Sequence, residues 1–293
     1  MAIKLDIVSL RDKLKKNIMD EVNKLDKKKL PNTVYIVSTI DDDASKVYMK
    51  NKLKAIEELG LEPRWLNLQC SDDIGHVKNV INHMVMDDKI LGIIIQKPLS
   101  DNLKPYEEEL DNLIPRNKDI DQISLRNDSD CVVNLLPCTV WGIMQIIDSM
   151  IASDELRNKN VLAIGRSKIV GKPLVDELIK RGTTVMSANS KTSSATLKQM
   201  FELADIVVSA VGKPKIWDKN CFHKYQLLID VGINRDENGK RCGDFDVSGV
   251  KDEIYYTPVP KGVGVMTVLG VQNNILELLK IAKGVINNGN EVS

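Results

Sequence analysis

The chain contains no apolar run approaching the roughly 18 residues needed to cross a bilayer, so no membrane partner is expected. Its first residues, MAIKLDIVSLRDKL, lack the continuous apolar core of a secretory leader. Cysteine is sparse and unpatterned. Cys70, Cys131, Cys138, Cys221 and Cys242 include no C-x-x-C pair, which suggests reduced thiols and a cytoplasmic protein. His76, His83 and His223 have no metal-ligand spacing, so no metal site is expected. The 41 basic and 41 acidic residues cancel, giving no support to a nucleic-acid partner. Internal repeats and low-complexity segments are also missing.

What is present is a packed chain of two-domain length, with 293 residues, 43% hydrophobic and 28% charged. Residues 5–28 read as a charged helix and Thr33 to Ser38 as a strand. A helix follows from about Lys46 to Leu59, closed by Gly60. Arg64 to Leu68 is a second strand and Ile74 to Met86 a helix. Ile90 to Gln96 is a continuous apolar strand, as in a buried parallel sheet. Leu103 to Ile114 reads as a further helix. The alternation predicts an α/β domain. Residues 115–137 are polar and turn-rich, and Val140 to Ala152 reads as a helix. Later strands are expected at Ile206–Ala210, Leu227–Asp230 and Ile254–Tyr256. Thr257 to Thr267 is read as an ordered Pro/Gly loop near a ligand, and Val268 to Ile281 as a closing amphipathic helix.

The stretch from Asn160 to Ser190 is a strand–glycine turn–helix–strand unit, half of a dinucleotide-binding sheet. The short apolar strand ends at Gly165. Pro173 suits the first turn of a helix, and Gly182 ends it. Glycines let the backbone approach a pyrophosphate, and the helix N-terminus favours the anion. The turn reads G-R-S-x-x-x-G, not G-x-G-x-x-G, and taken alone it is equally an ordinary strand–helix connection. The second strand ends in Ser187-Ala-Asn-Ser190-Lys191, without the acid that binds a ribose 2′-hydroxyl in NAD sites. Arg166, Ser167, Ser190 and Lys191 suit a 2′-phosphate, which favours NADP over NAD.

Three further residues are candidates for chemistry. Lys52 lies on the apolar face of its helix with Tyr48 one turn earlier. It is either a lysine whose ammonium snorkels to water or a partly desolvated general acid/base. Gln96 ends the most apolar strand, where ligands of open α/β sheets bind; it is otherwise a polar strand terminus. Asp121, in Lys118-Asp-Ile-Asp121, is a ligand-binding carboxylate or a turn residue.

Together these segments resemble the methylenetetrahydrofolate dehydrogenase/cyclohydrolase family over nearly the whole chain. The matching motifs are Asp43-Ala-Ser45-x-x-Tyr48-x-x-x-Lys52-x-Lys54-Ala55, Gln96-x-Pro98-Leu99, Lys118-Asp-Ile-Asp121, Pro137-Cys-Thr139, Ile164-Gly-Arg-Ser-Lys-Ile-Val-Gly171 with Pro173, Asp230-Val-Gly-Ile-Asn234, and Thr257-Pro-Val-Pro260 with Gly262-Val-Gly264 and Met266-Thr267. The resemblance implies two α/β domains flanking a cleft. Residues 1–142 with 270–293 would form the catalytic, folate-binding domain, and residues 143–269 the Rossmann-type NADP domain. It implies oxidation of 5,10-methylenetetrahydrofolate with NADP, then hydrolysis to 10-formyltetrahydrofolate. By the same resemblance Lys52 is the catalytic lysine, oriented by Gln96, and Tyr48 stacks on the aminobenzoyl ring. Asp121 binds the pterin, with Pro260 and Gly262 also at the substrate. Gly165, Arg166, Ser167 and Ser190 contact the NADP phosphates, while Ile233 and Thr267 lie near the rest of the cofactor. Tetrahydrofolate derivatives and a second copy of the chain, as a homodimer, are the implied partners.

The chain departs from the family pattern at several points. Lys97 stands where leucine is usual, Gln122 and Lys261 where glycine is, Val140 and Val265 where proline is, and Asn189 where histidine is. These departures bear on the balance of the two activities. The competing readings are a family member with one activity, another NADP-dependent two-domain dehydrogenase resembling shikimate dehydrogenase, and a non-catalytic folate-binding relative. The Tyr48–Lys52 helix argues against the second of these, and retention of Lys52, Gln96 and Asp121 against the third.

Overall fold

Two parallel sheets organise the chain in the computed structural model, which describes residues 1–39, 43–68, 72–124 and 135–284, with only the backbone for residues 43–48. In chain order the elements are β1 (Ala2–Lys4), α1 (Ile7–Asn23), β2 (Thr33–Ser38), α2 (Asp43–Glu58), β3 (Glu62–Asn67), α3 (Ile74–Met86), β4 (Ile90–Ile95) and α4 (Glu107–Asp111). There follow α5 (Cys138–Met150), α6 (Ser153–Leu156), β5 (Asn160–Ile164), α7 (Gly171–Lys180), β6 (Thr184–Ala188), α8 (Ser194–Leu203) and β7 (Ile206–Ser209). The last elements are β8 (Leu227–Asp230), β9 (Asn234–Arg235), β10 (Arg241–Cys242), β11 (Ile254–Tyr256) and α9 (Val263–Ala282). The chain divides into two compact units, Met1–Leu14 with Thr139–Thr267, and Lys15–Cys138 with Val268–Ser293.

The first unit holds a six-stranded parallel sheet in the order β1-β11-β8-β7-β5-β6. Strands β5, β7 and β8 are apolar and buried almost throughout, as a sheet covered on both faces requires. Leu162, Phe201, Val207, Leu228, Phe245 and Ile254 belong to its core. The N-terminal segment was expected in the other domain. Instead β1 adds to the sheet edge, with Ala2 opposite Ile254, and the boundary moves accordingly. Ser9 donates to Asp6 through both its N–H and its hydroxyl, which starts α1 at Ile7 and not at residue 5.

The second unit is built on the parallel sheet β3-β2-β4. The segment after Lys118 extends it, because Ile93 N–H donates to Lys118 O at 2.7 Å and Ile120 N–H to Ile93 O at 3.3 Å. Every residue of β4 is buried, and Ile81, Ile93, Leu99 and Leu110 pack in one core. From α9, Gln272 donates to Ala55 O and Asn274 to Ile120 O, so the end of the chain completes this unit.

Two expected elements differ. The helix over 103–114 is only α4, preceded by a 3-10 turn at Lys104–Tyr106 with Pro105 in its first turn. The Pro/Gly loop ends at Gly262, and α9 begins five residues before the expected start. Val263, Met266 and Gly270 continue its buried face, and Thr267 Oγ1 bonds back to Val263 O at 3.2 Å.

Candidate active site

Lys52 lies with Met49, Ile56 and Leu59 on the buried face of α2 and is 5% exposed. Its ammonium does not reach water by snorkelling. It donates to Asp121 Oδ2 at 3.1 Å, and the Asp121 side chain is 15% exposed. Asp121 follows directly on the stretch that lines up beside β4, so sheet pairing delivers it to α2. Asp119 fixes the turn. Its carboxylate accepts from the backbone N–H groups of Gln122, Ile123 and Ser124 at 2.9, 2.7 and 2.8 Å. Burial pushes the Asp119 carboxyl up to about 7, against the pull of those three N–H groups and with a further push from Asp121. The motif Lys118-Asp-Ile-Asp121 contains Asp119 without marking a role for it. Its signal was an acid two residues before Asp121 with successive N–H groups to cap.

Gln122, at a usual glycine position, has φ +54°. Its buried side chain compensates, donating to Arg116 O at 2.8 Å and accepting from Arg116 Nη2 at 3.0 Å. Gln96 lies just past β4. Its Nε2 donates to Lys97 O at 2.7 Å, and its Oε1 is buried with no partner among the described residues. Lys52 thus donates to Asp121, and among the described residues no bond joins it to Gln96. Tyr48 is on α2 one turn before Lys52, but its side chain lies outside the described residues. Cys138, at the start of α5, is buried, and burial pushes its thiol up, so it is a poor nucleophile.

In the other unit, strand order reverses across β6-β5-β7, and ligands of such sheets bind beyond the strand ends at this switch point. Gly165 follows β5 with φ +112°, and a Cβ there would meet Ala210 O at 2.8 Å. A Cβ on Gly171 would lie 2.1 Å from Gly165 O, so both glycines are required for the turn to close. Ser167 Oγ accepts from Val170 N–H at 3.2 Å, which leaves its O–H free to donate. Arg166 is exposed and has no ion-pair partner among the described residues. Register pairs Ile164 with Ala188, so Ser190 and Lys191 share this edge, both exposed. No acid stands at the end of β6. A free guanidinium, hydroxyls and a helix N-terminus fit a dinucleotide carrying a 2′-phosphate.

Two acids brace that edge: Asp230, which opens the Asp230-Val-Gly-Ile-Asn234 motif, and Asp244, which no motif marks. Asp244 is fully buried and accepts from Ser209 Oγ, Asn234 Nδ2 and the N–H groups of Val211, Gly212 and Lys213 at 2.7 to 3.3 Å. Asp230 accepts from the N–H groups of Gly232, Asp244 and Phe245, each at 3.0 Å, while burial pushes its carboxyl up to about 7. A Cβ on Gly232 would lie 2.0 Å from Asp244 Oδ1, and one on Gly243 1.9 Å from Asp230 Oδ2. That reciprocal fit explains both glycines.

Ile233 is exposed after β8, and Thr267 Oγ1 donates to Thr139 Oγ1 at 3.2 Å. Pro260 is exposed and follows a cis peptide bond, while Gly262 packs on Pro258 O. Lys261 has φ +75°, again a usual glycine position. Lys97 and Lys261 belong to different units, and Lys97 is ion-paired with Asp111. Among the described residues no group of acids, histidines and cysteines could hold a metal ion, and no helix is long and apolar enough to cross a membrane.

Comparison with known proteins identifies the family. Residues 5–121 match the family description "Tetrahydrofolate dehydrogenase/cyclohydrolase, catalytic domain", and residues 137–283 match the NAD(P)-binding domain of the same family. The "Bifunctional protein FolD" of Bacillus cereus (strain B4264) is 34% identical over 275 residues, covering 92% of this chain and 94% of the relative. The bifunctional FolD structure from Campylobacter jejuni superposes with a TM-score of 0.86 at 30% identity, covering 98% of this chain and 100% of that one. The bifunctional 5,10-methylenetetrahydrofolate dehydrogenase/cyclohydrolase from Thermoplasma acidophilum gives 0.82 at 25% identity, covering 97% and 100%. The chain belongs to the tetrahydrofolate dehydrogenase/cyclohydrolase family.

Proposed function

We propose that this protein oxidises 5,10-methylenetetrahydrofolate to 5,10-methenyltetrahydrofolate with NADP and hydrolyses the product to 10-formyltetrahydrofolate. The observation that carries this reading is the buried Lys52–Asp121 pair beyond the end of β4, in a chain that also holds a 2′-phosphate-compatible switch point. The bound nicotinamide would supply the hydride acceptor. Gly165, Arg166, Ser167 and Ser190 hold its phosphates, with Ile233 and Thr267 toward the rest of the cofactor.

Oxidation asks little acid–base work of the chain, because the substrate nitrogen's lone pair expels the hydride. Hydrolysis asks more. Water adds to the cationic carbon and loses a proton, and the ring nitrogen gains one as its carbon–nitrogen bond breaks. Lys52 is the group that carries the proton. Asp121 holds the ammonium in place and accepts from the pterin's N–H groups. The unpartnered Gln96 Oε1 is an acceptor for Lys52 or for the substrate. Tyr48 stacks on the aminobenzoyl ring, and Pro260 and Gly262 contribute to the substrate side.

The unit Lys15–Cys138 with Val268–Ser293 is the folate-binding domain, and the other unit binds the cofactor. A homodimer in the cytoplasm is the assembly and place this reading expects; light scattering on the purified protein tests the first. The activity is tested by mixing protein, methylenetetrahydrofolate and NADP while following reduced cofactor and methenyl absorbance. Reduced cofactor with transient methenyl is expected, and the absence of both signals would refute the proposal.

A further inference from the structure

Lys97 replaces the family's usual leucine directly after Gln96. Its side chain is 15% exposed, and Nζ donates to Asp111 Oδ1 at 2.7 Å, with Glu107 Oε1 at 3.5 Å. The Asp111 side chain is 11% exposed. The pair is part-buried, more sheltered than a screened surface contact, so its disruption is felt.

The pair has two consequences. It ties the chain just past β4 to the last residue of α4. Gln96 lies in the tied segment, and its amide is already directed by the bond to Lys97 O. Its orphaned Oε1 is thus aimed by the segment and not by a partner of its own. The second consequence is charge. Asp121 holds the Lys52 ammonium, Asp111 and Asp119 each lie close enough to Asp121 to feel its charge, and Lys97 supplies a second ammonium at Asp111. Burial pushes the Asp111 carboxyl up, Lys97 pulls it down, and Glu107 and Asp121 push it up again. Among the described residues Cys138 also feels Lys52, Asp119 and Asp121, and burial pushes its thiol up.

We infer that Lys97 is a positioning residue of the Lys52–Asp121 site: its ion pair with Asp111 fixes the Gln96 segment and cancels a carboxylate charge that would otherwise bias the proton on Lys52 and Asp121. The inference rests on the functional reading given above. Leucine at this position would leave Asp111 buried without a cation, so the lysine and the aspartate act as one unit.

The test is the pH profile of methenyltetrahydrofolate hydrolysis by the full-length protein. In Lys97→Leu the uncompensated Asp111 favours the cationic form of the neighbouring pair. The limb set by that pair should then move to higher pH by about half a unit or more. Lys97→Leu/Asp111→Leu should return it, and Lys97→Arg should leave it in place. Should Lys97→Leu fail to fold, Asp111→Asn makes the comparison from the other side, because it leaves an ammonium and must move the limb to lower pH. A melting temperature that falls in the single variants while the limb stays put would reduce Lys97 to packing and overturn the inference. An unmodified protein that does not hydrolyse methenyltetrahydrofolate would overturn the functional reading and this inference with it. Normal hydrolysis with an unmoved limb overturns the inference alone.

Discussion

Replacing Lys52 by methionine keeps most of the stem's volume and removes the ammonium. The structure makes the expected effect larger than the loss of one proton carrier. Lys52 is 5% exposed and holds Asp121 at 3.1 Å, so the substitution also strands a carboxylate that is only 15% exposed. Breaking a fully buried pair costs about 3–5 kcal/mol. The partial exposure of Asp121 lowers this to about 1–3 kcal/mol of stability. General acid/base help is worth about 10²–10⁴-fold, and that is the expected loss in hydrolysis. Oxidation should fall by much less, so methenyl product accumulates in the coupled assay. The companion variant Asp121→Asn supplies a cycle. Its stability loss and that of Lys52→Met should not add in the double variant, with a coupling of about 1–3 kcal/mol. Equal loss of both reactions with folate binding intact would refute proton carriage and leave Lys52 as a residue that positions substrate for both steps. Additive stability losses would refute the pairing.

Arg166→Ala removes a guanidinium that has no ion-pair partner among the described residues; a charge-assisted bond worth about 1.5–3 kcal/mol predicts at least a tenfold rise in KM for NADP and little change for NAD, and equal changes would refute 2′-phosphate recognition. Asp119 and Asp230 have carboxyls raised to about 7 in the folded chain, above their unfolded values, so the folded state binds the extra protons and their contribution to stability is lost as pH rises from about 4 to about 7. Melting curves across that window should therefore fall less steeply with pH for Asp230→Asn than for the unmodified protein; an identical slope would refute the assignment. Lys261→Gly relieves a left-handed residue at φ +75° and should stabilise by about 1 kcal/mol in urea melts, whereas a lowered midpoint would show that the lysine side chain repays its strain.

Much of this was legible in the residues because it depended on period and punctuation. The strands β2, β4 and β5 are apolar runs, and the glycine turn at Gly165 announces its own geometry. Lys52 was visible as a charge on an apolar face. What the sequence concealed depended on residues distant along the chain. Asp121 reaches Lys52 only because residues 118–120 pair beside β4, and nothing local to either residue encodes that. The short strand β1 is too brief to show alternation and acquires its meaning from β11. The early start of α9 was hidden by Gly262 and Gly264, which read as loop although Val263, Met266 and Gly270 already lie on a buried helical face. Lys97 reads in the sequence only as a departure from the family pattern, and nothing local to it shows that Asp111 lies against it.

The way the buried acids are satisfied separates scaffold from chemistry. In the cofactor unit, Asp230 and Asp244 are held by backbone N–H groups, a serine hydroxyl and an asparagine amide. None of those donors titrates near neutral pH, so the two acids brace loops and exchange no proton with their partners. Asp119 is held in the same way and serves the same purpose for Asp121. Asp121 and Asp111 are different, because each is held by a lysine. Buried ion pairs add little to stability when weighed against apolar packing of the same volume. A fold that needed only packing here would do as well with leucine and methionine. Two such pairs, one of them next to a glutamine whose Oε1 has no partner among the described residues, are therefore better explained by a proton that has to move, and the hydrolytic step is the one proposed for this chain that moves it.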